Sequence, residues 1–518
     1  MKKFYFSLIA MVGALMPLAV NAQTLVQKNV YAYDIVVTQD AVNKNVATVE
    51  YKLNGLTKEV TIQALVDGTA VETVEGTTNY TNSVEVTIPS DKTGKVTFEI
   101  TAVPEGTVDD VTVVANSPQY YSFWSPTTIA VNTDPNSPTF GRVLTVENRY
   151  HNTPFTNAGY YACGRGGAVY AFDPIFAPVL AKDGNPGFTL GLGENNDSKT
   201  QVYGDYQDLR YTKDGRLFLS SGDPKKYGLY ELDPDDLDAT AHPLFESTDK
   251  NIWAFDVYAN GDGTYKIIAI VSSSNTDGTG SAGIAGNAAI YAYDMDENGN
   301  ITGGEEKLIT SITNNWVNGL NMKVAIDPTG TGFYASQHRG ANSEAEPHLL
   351  HADMNGENID NDYTTVINGG GMGYNHDGTL FARGEGAQTV CVYRVNNLPA
   401  GLTPEMEKVA TFNAGIGNAI MAVGFDYANN LFVSSNSGEK LQQYQLPASI
   451  AGDYTTVPSP ESMAFVIEGT TGVNNVAVEA TNGEAVHYNL NGVRMQGELP
   501  AGVYVKVVDG KATKVVVK

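Results

Sequence analysis

Three groups of side chains in this sequence have the types and spacing to do chemistry. The first is Asp294, Asp296, Asn298, Asn300 and Glu305, with Gly299 among them. Oxygen donors at alternate positions, then glycine, then a closing glutamate, are the spacing of a calcium loop, because Ca2+ takes many oxygens from a tightly turning backbone. Calcium is the one cofactor the sequence points to. The same residues also suit a plain hairpin turn, since Asp, Asn and Gly tolerate positive φ. The second group is His338 and Arg339 with Glu344, Glu346 and His348. Three of the seven histidines, counting His351, fall in this stretch. Histidine and glutamate can bind zinc or move protons, but neither a helix-spaced histidine pair nor Cys-x-x-Cys supports that here. A solvated polar loop is the better reading, with His351 packed in a strand. The third group is Arg149, Tyr150, His151, Tyr160, Tyr161 and Arg165, joined by Trp316 further on. Flat aromatic rings beside guanidinium groups suit a sugar or a protein surface.

Nucleophile motifs are missing. There is no Gly-x-Ser-x-Gly elbow, the turn that would expose a serine. Gly191-Leu-Gly193 lacks the strand–helix context of a phosphate loop. Catalytic residues are therefore unassigned.

The elements that must position these groups are strands. Residues 24–115 alternate apolar and polar side chains in short runs separated by Asn54-Gly55, Asp67-Gly68 and residues 89–91. Period two with such turns predicts a β-sandwich. From about residue 120 the chain repeats one plan of strand, Asp- and Gly-containing turn, second strand and third strand. The turns are clearest at residues 210–220, 324–334, 373–381 and 423–432, with third strands at 169–173, 228–233, 290–294, 349–353, 390–394 and 441–445. Radial repetition of four-stranded sheets makes a β-propeller, in which closure protects the edges. The count is six blades, with seven as the alternative. A last β unit follows over 470–518. The fold class is thus all-β, with a leader at 1–22, a sandwich at 23–115, a propeller at 116–468 and a C-terminal β domain at 469–518.

Three resemblances accompany these patterns. The stretch 51–62 with Asp67-Gly68 resembles the immunoglobulin-like domains related to flagellar hook-capping proteins. The repeats resemble six-bladed propellers of the NHL and gluconolactonase/regucalcin type. That likeness implies the fold and not an activity, because propellers host many functions. The lactonase metal set of glutamate, asparagine and aspartate from different blades cannot be placed here residue by residue. Residues 487–494, the strand at 502–504 and the basic, valine-rich end at 514–518 resemble the C-terminal sorting domains of type IX secretion in Bacteroidetes. That resemblance implies a surface or extracellular destination; a structural β cap is the alternative.

Met1-Lys2-Lys3, an apolar run to about Val20 and Asn21-Ala22 have the order of a cleavable signal peptide. Beyond it no stretch approaches the roughly 18 apolar residues of a membrane helix, so the mature chain is expected to carry no transmembrane segment. The formal charge is −26, and loss of Lys2 and Lys3 makes it more negative. Such a surface disfavours nucleic acid. Cys163 and Cys391 are the two cysteines. They fall in blades that are not neighbours, so a disulfide between them is not expected.

Long connections between second and third strands cluster the third group, the His338 stretch and residues 274–286 on one face of the propeller, with Arg383 and Glu385 near it. Long loops in compact domains are usually functional or disordered. The sequence therefore predicts a secreted or cell-surface binding protein whose loop face, with Arg149, Tyr150, His151, Tyr160, Tyr161, Arg165, Trp316, His338 and Arg339, recognises an extracellular glycan or protein. The alternative is a propeller enzyme, such as a metal-dependent lactonase or a polysaccharide lyase or hydrolase, acting through carboxylates and His338. A scaffold without a small ligand is the third possibility.

Overall fold

A computed structural model describes residues 25–117 and most strands and turns from there to 517. Residues 1–24, 148–167, 193–205, 222–226, 274–288, 310–321, 337–348, 363–369 and 469–484, with some shorter stretches, lie outside that description. The chain is all-β, and its helices among the described residues are the single turns Ala448–Ala451 and Glu461–Met463.

The sandwich forms because its central strands alternate apolar and polar side chains. Ala32–Gln39, Val46–Leu53 and Thr81–Thr87 make one antiparallel sheet. Thr57–Val66, Thr69–Glu75 and Gly94–Pro104 lie in the other. Along Val46–Leu53 and Gly94–Pro104 every second side chain is buried, so Val49, Tyr51 and Leu53 meet Ile62, Phe98 and Ile100 in one core. Asp67 (φ 48°) and Gly68 (φ 75°) give both central residues of a two-residue hairpin the left-handed conformation whose twist matches the strands.

Among the described residues, six sheets of one plan come next along the chain. Their first strands are Ala130–Val131, Tyr206–Tyr211, Lys250–Ala259, Lys323–Ile326, Met372–Tyr374 and Ala419–Phe425. Each first strand touches the first strand of the next sheet, and the sixth returns to the first. That closed order of sheets, each packed on its neighbours through apolar faces, is the arrangement of a propeller.

Strand pairing crosses the points where the sequence changes character. The fourth strand of the sixth sheet is Thr112–Asn116, which comes from before the ring and pairs with Leu441–Gln445. Thr455–Pro458 and Phe465–Ile467, which come after the ring, pair with Gly94–Pro104 in the sandwich. The chain therefore enters and leaves the ring through the sandwich. Between the two, Tyr31 of the sandwich packs on Phe140 and Tyr427 of the ring. The C-terminal residues form a four-stranded sheet of Arg494–Met495, Val486–Tyr488, Gly502–Val508 and Lys511–Val517.

Candidate functional site

The positions of the long connections follow from the strands that anchor them. Glu147 pairs with Ala168, Val271 with Ala289, and Ser336 with Leu349. Each pair is the mouth of a second-to-third connection, and all three mouths lie at the same end of their sheets. The fourth strand Glu306–Ile309 also ends there, ahead of Lys323–Ile326. The connections holding Arg149, Tyr150, His151, Tyr160, Tyr161 and Arg165, then His338 and Arg339, then Trp316, are thereby rooted on one face. These nine residues themselves lie outside the described residues, as does Cys163.

The calcium-like loop is a hairpin turn between Ala289–Met295 and an isolated bridge at Ile301. Asp296 Oδ1 accepts the backbone N–H of Asn298 at 2.9 Å and of Asn300 at 2.8 Å. Asn300 also donates its side-chain amide to both Asp296 oxygens. Asp294 faces Lys266 across the strand pair at 3.1 Å. The same two-amide pattern recurs elsewhere in the ring. Asp173 accepts from Ile175 and Ala177, Asp353 from Asn355 and Glu357, and Asp426 from Ala428 and Asn430. An aspartate that closes its own turn is conformational chemistry, and the spacing at Asp294–Asn300 is one copy of it. Glu305 lies outside the described residues. Among those described, no three histidine, cysteine or acidic side chains gather as metal ligands.

A buried charge cluster inside the ring escaped the sequence reading. Asp208, fully buried, accepts Lys323 Nζ at 2.9 Å and Arg210 Nη2 at 3.2 Å. Arg210 in turn donates to the carbonyls of Phe255 and Val324, so one guanidinium ties the first strands of three successive sheets. Asp256 accepts the Ile326 and Val257 amides. Burial lowers the Lys323 ammonium to about 8, with Arg210 adding to the effect against the pull of Asp208. Burial raises the Asp256 carboxyl, with Arg210 opposing. The signal in the sequence was slight: Asp208 and Arg210 flank Leu209 at period two, and Lys323 opens its strand, both positions that read as solvent-facing.

A second polar cluster lies on the fifth sheet. Glu385 accepts Arg383 Nε at 2.7 Å and Lys408 Nζ at 2.9 Å, and the Tyr393 hydroxyl donates to it as well. Burial pushes the Glu385 carboxyl up, but the bonds from Tyr393 and Lys408 and the charge of Arg383 outweigh it and hold it at about 2. Arg383 stands 4.8 Å from the Tyr393 ring centroid, a cation–π contact. Cys391 is buried in the same sheet and free. His351 is 1% exposed; its Nε2 lies 2.8 Å from Asp327 Oδ2, and Tyr374 donates to the other oxygen. That places His351 inside the fourth sheet's packing.

No family model matches this chain, and no curated protein matches it. Among solved structures, it is similar to the crystal structure of Chaetomium thermophilum Raptor, with 9% sequence identity and a TM-score of 0.32. The match covers 62% of this chain and 28% of that one.

In both clusters the carboxylate is surrounded by cations: Lys323 and Arg210 on Asp208, and Arg383 and Lys408 on Glu385. Asp208 and Glu385 have their oxygens occupied by cations and amide or hydroxyl donors, an arrangement that fixes strands relative to each other.

Proposed function

We propose that this protein is exported and acts outside the cell as a binding protein, with a six-bladed propeller whose loop face holds an extracellular glycan or protein. The observation that carries this reading is the common rooting of the three long connections at paired strand ends on one side of a closed ring. A ring that is rigid through buried ion pairs can hold variable loops at fixed separations, which lowers the ordering cost of binding. Arg149, Tyr150, His151, Tyr160, Tyr161 and Arg165 supply the contact chemistry, with Trp316, His338 and Arg339 beside them. The likeness of the repeats to NHL and gluconolactonase-type propellers supports the architecture. The immunoglobulin-like pattern of the N-terminal strands fits a spacer, and the valine-rich basic end fits surface sorting.

The test is binding of the mature protein to an array of extracellular polysaccharide fragments and surface proteins, repeated with Tyr160→Ala, Tyr161→Ala and Arg165→Ala. Loss of at least about tenfold in affinity per variant is expected, since buried aromatic and arginine anchors dominate such surfaces. Ligands whose affinity is unchanged in all three variants would move the site away from this face.

A further inference from the structure

A cleft lies between the sandwich and the ring, at the end of the first sheet opposite the Glu147–Ala168 pair. It encloses about 760 Å3 and opens over the three-stranded sheet of the sandwich. Its floor is the outward half of that sheet, with Val36 and Glu50 alternating with buried neighbours. One wall is the first ring turn, with Pro135 and Pro138; the other is Pro460 and Met463. The volume falls in the range of small-ligand and peptide sites.

The charges in this cleft do not cancel. Asp34 has a left-handed backbone (φ 49°) at a break in strand register between Tyr33 and Val36. Such a bulge re-aims a side chain, and here it brings the Asp34 carboxylate to Lys52 Nζ at 2.8 Å. Lys52 is thereby spent on Asp34. Glu50 stands on the same floor with no ion-pair partner among the described residues, and the surplus is one negative charge.

The apolar lining is aliphatic rather than aromatic. Phe140 borders the cleft but is 6% exposed, its ring engaged by Tyr31 and Tyr427. Tyr51 is also buried. A sugar needs an open ring face to lie on, and the cleft offers prolines, Val36 and Met463 instead. Those surfaces match the alkyl stem of a long cationic side chain whose head stays near a carboxylate. The net charge of −26 steers cations toward such a site.

We infer that this cleft binds an extended peptide segment through an arginine or lysine side chain, its head on Glu50 and its stem between Pro138 and Met463. The probe is a fluorescein-labelled peptide of alternating glycine and arginine, titrated against the mature protein by anisotropy. Its counterpart carries citrulline, the neutral isostere, in place of arginine. The arginine peptide is expected to bind, and both the citrulline peptide and Glu50→Gln are expected to cost about tenfold. Ser83→Trp, which fills the floor from the outside of its strand, should block binding while the circular dichroism and Tm stay those of the wild type. Tyr160→Ala and Tyr161→Ala should bind the peptide unchanged, so failure of the loop-face reading and failure of this one are separable. Equal binding of the citrulline peptide, unchanged binding in Glu50→Gln and Ser83→Trp, loss of binding in the Tyr160 and Tyr161 variants, or no binding by the wild type would each overturn the inference.

Discussion

Lys28 and Asp426 sit in one buried network where the sandwich meets the ring. Lys28 is fully buried and donates to the Pro174 carbonyl and the Gln443 side chain. Burial lowers its ammonium to about 8, against the pull of Asp426 and Asp173. Burial likewise raises the Asp426 carboxyl from 3.8 to about 6, against Lys28 and the Asn430 bonds. Desolvation outweighs attraction on both sides, which is the usual fate of a charge kept from water. The consequence for stability has a definite sign. Below about pH 4 the Asp426 carboxyl is neutral in folded and unfolded chains alike. Between about pH 4 and 6 the unfolded chain ionises while the folded chain keeps the proton, so stability falls as pH rises, by up to about 3 kcal/mol. Asp426→Asn cannot titrate. Urea unfolding of both proteins at steps from pH 4 to 7 should show the wild type losing stability relative to the variant across that window, then running parallel to it. A constant difference throughout would mean that Asp426 ionises normally in the folded chain.

At the scale of the element, the recurring device is an aspartate that closes its own turn. Asp173, Asp296, Asp353 and Asp426 each accept two backbone amides. Replacing Asp353 by alanine should cost roughly 1.5–3 kcal/mol, the loss of bonds to a charged acceptor. Asp296→Ala, at a more exposed turn, should cost less. If Asp296 served calcium, the wild type would melt higher with calcium than with EDTA, and Asp296→Ala would erase the difference. The expected result is one Tm in both media. Such local devices were legible in the sequence: Asp67-Gly68 is the hairpin its residues call for, and the third strands at 168–172, 289–295 and 441–445 lie where their apolar runs put them. What spacing cannot show is which strand pairs with which across hundreds of residues. Thr112–Asn116 reads like one more sandwich strand, yet it closes the ring against Leu441–Gln445. Asp208 and Lys323 lie 115 residues apart, and each alone looks like an ordinary polar position. The candidate loop residues stand out in the sequence by chemistry and loop length; of that site the described strands supply only the rooting.

At the scale of the whole molecule, chain segments cross between sandwich and ring, so neither is a bead on a string. Gly94–Pro104 is a central strand only because Thr455–Pro458 and Phe465–Ile467 return to cover its far edge. Val457 and Ile467 are buried in the sandwich core, and Ser459 Oγ accepts the buried Phe98 amide at 3.1 Å. Each apolar side chain contributes about 1.5–3 kcal/mol by burial, a large part of the stability of a domain this small. A protein ending at Gly452 keeps Thr112–Asn116 on the sixth sheet and so keeps a closed ring. Its sandwich loses two strands and exposes a hydrogen-bonding edge, which invites association. Calorimetry of that truncated protein should show the sandwich melting separately and at lower temperature, with the ring transition near its place in the full chain. A truncated protein whose sandwich melts as in the full chain would show that residues 455–467 pack there without holding it together.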